Sequence, residues 1–230
     1  MIKSYSTQFD KLEAMLDAVK KENKELKKEQ KEMKETLEER DQEILKLRER
    51  INDQEQYARG WSARVLGMDI PASDATDPVK VMGHVYSRLL LPIFRGAVQT
   101  GQLNSIPNVE QVLETAHILP AKPDTIPAVI CRFYSRNIRA LVFRLKKDFA
   151  PRLDADRQSS QGQRPGKLEY SIFEDLTRLN FAKLRALSQH DKVHACWSVN
   201  GSLRYRLKDS DAIVRVKSVM CSVEDILKAK

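Results

Sequence analysis

Arginine and lysine recur beside aromatic residues at three places: Tyr57, Arg59, Trp61 and Arg64; Arg132, Phe133, Tyr134, Arg136 and Arg139; and Trp197, Arg204, Tyr205, Arg206 and Lys208. Guanidinium and ammonium groups neutralise phosphates, and aromatic faces stack unpaired bases with little regard for sequence. That combination is the chemistry of holding a single-stranded nucleic acid. The plainer alternative places Phe133 and Trp197 in a core, with the arginines coating an ordinary surface. Strand alternation over Ala128 to Tyr134 puts Val129, Cys131 and Phe133 on one face and Ile130, Arg132 and Tyr134 on the other. Arg132 must then be paired or emerge at a groove.

Catalytic chemistry has no comparable footing. The sequence holds no Gly-rich phosphate loop, HExxH, GxSxG, or compact cluster of carboxylates or metal ligands. His190 and His194 are close in sequence, but no third ligand is near. The expectation is a non-enzyme with no cofactor and no small-molecule substrate. Cys131, Cys196 and Cys221 are odd in number and lack CxxC spacing, which argues against a disulfide framework or zinc site, and the strand-like apolar runs around Cys131 and Cys196 make those two small buried hydrophobes in a reducing compartment. The longest apolar cluster, Leu89 to Phe94, is interrupted by Pro92 and too short to span a bilayer. The N-terminus leads into charged sequence. These features predict a soluble intracellular protein with no membrane partner.

The basic groups must be positioned by two very different stretches of chain. Residues 1–56 hold 13 Lys and Arg against 15 Asp and Glu, whereas residues 57–230 hold 27 against 17. The positive excess of the second stretch favours a polyanion through counterion release. The first stretch repeats in heptads. Its a positions are Ile2, Phe9, Leu16, Asn23, Gln30, Leu37, Ile44 and Ile51, and its d positions are Tyr5, Leu12, Val19, Leu26, Met33, Arg40, Leu47 and Gln54. No Gly or Pro occurs before Gly60. Spacing of this kind predicts a coiled coil over 1–56, about 80 Å long. Its seam leaves water only against other helices, so Leu12, Leu16, Val19, Asn23, Leu26, Leu37, Ile44, Leu47 and Ile51 are expected at an oligomer interface. Polar seam residues favour one register at a cost in stability. Arg50 to Glu55 approximates a pattern found in trimeric coiled coils, with Gln54 in place of its second apolar residue. A trimer is therefore favoured over a dimer.

Beyond Gln56 the spacing predicts strands at 63–70, 112–119, 128–134 and 168–173, with helices at 78–94 and 135–149. The second helix carries Ile138, Leu141, Val142 and Leu145 as its apolar stripe, and Arg136, Arg139, Arg144, Lys146 and Lys147 around it. A β-α-β-β-α-β order of this kind is ferredoxin-like, the RRM architecture. The expected domains are thus the coiled coil at 1–56, an RRM-like domain at 57–175 with a loop at 151–167, and a small α+β domain at 176–230. The last contains a helix at 176–188, a hairpin through Asn200-Gly201, a strand at 213–219, and a short helix capped by Ser222. The fold class is α+β. No RRM aromatic motif surrounds Phe133, so a groove between the two C-terminal domains is expected to bind, rather than the open sheet.

The order of parts resembles the first-open-reading-frame protein of LINE-type, non-LTR retrotransposons. The residues that carry the resemblance are Glu55-Gln56-Tyr57-Ala58-Arg59, Val65-Leu66-Gly67, Glu114-x-Ala-His117, Pro127 to Phe133, Phe173-Glu-Asp-Leu-Thr177, Ala195-Cys-Trp197 and Asn200-Gly201. The resemblance implies a homotrimer that coats the element's own RNA into cytoplasmic ribonucleoprotein particles, with the nucleus as a second location, and that acts as a nucleic-acid chaperone. Single-stranded DNA is an alternative partner. The resemblance also implies RNA contacts at Arg132, at Lys146 or Lys147, and at Arg178. The competing expectation is a coiled-coil adaptor whose C-terminal domain binds protein.

Overall fold

The computed structural model describes residues 2–122, 125–152 and 168–228, the side chains of residues 2–14 excepted. Residues 153–167 of the expected loop and the side chain of Leu12 lie outside the described residues. The protein is α+β, with a long N-terminal helix followed by a sheet region. Two compact units divide the chain, Met1–Ile51 and Asn52–Lys230.

Helix α1 spans Ile2–Arg59 and ends at Gly60, whose N–H turns back to the carbonyl of Tyr57. In the first unit, Leu16, Val19, Leu26, Met33, Leu37, Ile44, Leu47 and Ile51 are each at least 45 % exposed. A lone helix cannot hide such a row. Among the described residues, no helix is long and apolar enough to cross a membrane.

In the second unit, β1 (Ser62–Leu66), β2 (Leu113–Ile118), β3 (Val129–Phe133) and β4 (Ser171–Glu174) form an antiparallel sheet in the order β2-β3-β1-β4. Strand β1 is shorter than the expected 63–70 because Gly67, at φ +85°, turns the chain away. Between β1 and β2 lies α2 (Pro78–Val85), whose cap Asp77 accepts from the N–H groups of Val79 and Lys80. The expected helix end at Phe94 is not observed. Pro92 lacks the N–H that would bond the carbonyl of Arg88. The chain widens over Tyr86–Leu90, where Leu91 N–H bonds Tyr86 O, and continues as α3 (Leu91–Gln99). Gly96 lies inside α3, where the ring of Phe149 occupies the space of any Cβ.

A short α4 (Val109–Val112) leads into β2, and α5 (Arg136–Phe149) follows β3, capped by Ser135. The alternation expected of β3 is present. Val129, Cys131 and Phe133 join Ala63, Val65 and Ile172 against Val81, Val85, Leu89, Phe94, Val142 and Leu145, all at most 4 % exposed. Phe133 is thus a core residue; emptying its site to Ala is expected to cost about 3–5 kcal/mol.

The remainder is built from α6 (Arg178–Ser188), β5 (Val193–Val199), β6 (Ser202–Leu207), β7 (Ile213–Arg215) and α7 (Val223–Lys228). Asn200 and Gly201, at φ +51° and +77°, make the β5–β6 turn, whose mirrored twist suits a two-residue hairpin. The three strands are ordered β5-β6-β7. Leu187, Val193, Leu203, Tyr205, Val216 and Ile226 form a second core beneath them. Tyr205, grouped in the sequence with the base-stacking aromatics, is instead 1 % exposed and donates its hydroxyl to Ile226 O at 3.1 Å.

Candidate nucleic-acid interface

Two adjacent carboxylates, Glu174 at the end of β4 and Asp175 just beyond it, gather several of the arginines expected to meet phosphate. Asp175, 2 % exposed, accepts from Arg59 Nη1 at 3.0 Å and Arg64 Nε at 2.7 Å. Arg59 also donates to Glu55 at 2.8 Å. Burial alone would lower the Arg59 pKa; the charges of Asp175 and Glu55 outweigh it, and the net direction is upward. Glu174 accepts from Arg139 Nη2 at 3.2 Å and from the backbone N–H groups of Asn200 and Gly201 at 2.7 and 3.0 Å.

Arg139 therefore needs correcting. It was expected on the basic surface of α5, yet it is 4 % exposed and donates Nε to Ser62 O at 2.9 Å. Its position three residues before Val142 places it on the buried stripe, where Glu174 neutralises it. Arg59 and Arg64, also expected to bind nucleic acid, both donate to Asp175 while their side chains stay partly exposed.

A neutral network completes this junction. Asn52 Nδ2 donates to Asn180 Oδ1 at 3.0 Å, and Thr177 Oγ1 donates to Asn52 Oδ1 at 2.7 Å. Gln56 Oε1 accepts from Thr177 N–H and Asn180 Nδ2, while its Nε2 donates to Asp175 O. Asn180 also donates to Gly201 O at 3.1 Å. Buried amides paired this fully restrict the junction to one arrangement.

On the sheet face away from the helices, Phe173, Arg64, Ile130 and His117 stand in one cross-strand row. Arg132 emerges beside it, exposed and paired with Glu114 at 2.7 Å. Arg136 stacks its guanidinium 4.1 Å from the Tyr57 ring centre and 4.7 Å from that of Trp61, and donates to Tyr57 O. Lys146, its pKa lowered by burial, donates to Ile172 O at 2.7 Å and covers the free edge of β4. Lys147 stays exposed.

The outer face of the three-stranded sheet is differently arranged. Register places Trp197 opposite Arg204 and Arg204 opposite Arg215; the next row is Ala195, Arg206 and Ile213. Arg206 has Asp211 at 3.7 Å. Arg204 and Arg215 have no side-chain partner among the described residues. Like charges directly opposite on a sheet are destabilising. Sequence reading named Arg204 and Arg206 but missed Arg215; alternation over Ile213-Val214-Arg215 pairs it with Ile213 on one face, and the β6–β7 register makes that the face of Arg204. Arg178 is exposed at the start of α6.

No three His, Cys, Asp or Glu side chains converge among the described residues to hold a metal ion. No protein-family model matches the sequence, and no curated protein matches it.

Proposed function

We propose that this chain is a non-catalytic protein that assembles through α1 and coats single-stranded RNA, in the manner of the LINE-type first-open-reading-frame proteins it resembles. The observation that carries the reading is the cross-strand row Trp197, Arg204 and Arg215. Two arginines stand at directly opposed register positions there, neither with a side-chain partner among the described residues, beside an indole able to stack a base. Such an arrangement opposes folding and favours a polyanion with unpaired bases. The order β2-β3-β1-β4 with helices on one face supports an RRM-type framework. The exposed apolar row on α1 supports self-association into a homo-oligomer, for which the heptads favour three strands.

Fluorescence anisotropy of a single-stranded RNA over a salt series tests this. Phosphate neutralisation predicts a log-log slope of about −0.7 per phosphate contact. An absence of binding at low salt, with self-association intact, would instead favour the protein-binding adaptor.

A further inference from the structure

Building on that reading, we infer that each chain holds two single strands at once, on opposite faces of its C-terminal layer. One face is the outer sheet surface with Trp197, Arg204 and Arg215. The other is the outward side of α6. There Arg178, Phe181 and Arg185 follow at i, i+3 and i+7, a spacing that brings them to one side of a helix. Phe181 is 58 % exposed, and both arginines are exposed with no side-chain partner among the described residues.

The two faces point away from each other because α6 lies against the sheet's inner side. Leu184 and Leu187 enter the core with Tyr205, and Cys196 Sγ donates to Leu184 O at 3.4 Å. Residues on the sheet's inner side, Cys196, Tyr205 and Val214, alternate with the outer row Trp197, Arg204 and Arg215. A phosphate chain engaged by one row is therefore separated from the other by a helix and a sheet.

Both faces carry charge that the fold itself does not need. Arg204 opposes Arg215, and Arg178 stands in the first turn of α6, the end of a helix where a cation is disfavoured. An aromatic beside unneutralised arginines is common to both, exposed in Phe181 and half-buried in Trp197, and it matches a flexible strand that offers phosphates and free base faces. Neither face presents the ordered donor and acceptor set that reading base edges requires, so each strand is held without sequence preference.

The test is the stoichiometry of the full chain with a labelled oligouridylate of about six nucleotides, the scale of a single-strand site, titrated at protein concentrations well above the dissociation constant. Two strands per chain are expected. Arg178→Ala with Arg185→Ala should leave one, Arg204→Ala with Arg215→Ala should leave one, and circular dichroism should show both variants folded. One strand per unsubstituted chain overturns the inference while leaving the RNA-binding reading in place. No binding by the unsubstituted chain overturns both.

Discussion

Arginines do opposite work in two neighbouring regions of the second unit. At the β4–α6 connection, Arg59, Arg64 and Arg139 each meet a carboxylate, and the surrounding amides are paired as well. On the outer face of the three-stranded sheet, Arg204 and Arg215 stand at opposed register positions, neither with a side-chain partner among the described residues. The comparison teaches that a positive charge identifies a binding residue only after its neighbours are known. A guanidinium already neutralised in a buried site has little left to offer a phosphate, and removing its partner there costs stability. An unneutralised pair on a surface strains the fold mildly and gains most when a polyanion arrives.

The sharpest way to break the comparison is at the junction. Glu174→Ala leaves Arg139 charged, 4 % exposed and unpaired, and releases the N–H groups of Asn200 and Gly201. We expect a loss of about 3–5 kcal/mol, read by urea unfolding. A loss below about 1 kcal/mol would show that Arg139 finds water easily and that the junction is not the keystone described. Gly201→Ala should cost about 1–2 kcal/mol through its positive φ. Its new Cβ would also lie 2.5 Å from Gln56 Cγ, pushing Gln56 off Thr177 and Asn180. Neither substitution touches the outer sheet face, so RNA affinity per folded chain should hold.

On the other side of the comparison, Arg204→Ala should leave the unfolding midpoint almost unmoved while flattening the salt dependence of RNA binding by about 0.7 in log-log slope, one phosphate contact. An unchanged slope would remove Arg204 from the interface. The smallest perturbation is chemical. Cys131 is fully buried, and burial pushes its thiol up to about 12, whereas Cys221 is exposed. Alkylation at mildly alkaline pH, followed by mass spectrometry, should modify Cys221 first and Cys131 only on unfolding. In Glu174→Ala, faster labelling of Cys131 would mean that the loosened junction also loosens the four-stranded core.

Much of this framework was legible in the residues. The heptads marked α1, Asn200-Gly201 marked the hairpin, Ser222 with Asp225 marked the start of α7, and alternation sorted Val129, Cys131 and Phe133 inward from Arg132. Periodicity reports which face a residue occupies. It does not report what stands across from it. Arg139 read as surface because its partner, Glu174, lies 35 residues away, and Arg59 and Asp175 are 116 apart. The turns that end β1 and the widened helix before Pro92 depend on local backbone geometry that spacing alone does not encode. Arg215 lay within the expected strand at 213–219, of which only Ile213–Arg215 is strand, but nothing in its spacing showed that Arg204 stands opposite it. The proposed binding face therefore emerged from register, while the exposed apolar row of α1 was already plain in the heptads.

One substitution addresses the central claim directly, because it separates stability from binding. Arg215→Glu turns the opposed arginines into an opposed ion pair, a change worth about 0.2–1 kcal/mol in favour of the sheet, and places a negative charge where a phosphate is proposed to lie. Thermal unfolding and single-stranded RNA affinity should be measured on the same full-length preparation. The account predicts an equal or higher unfolding temperature together with weaker, less salt-sensitive binding. Affinity that stays unchanged while the fold gains stability would contradict it, and would return Arg204 and Arg215 to the status of an ordinary surface.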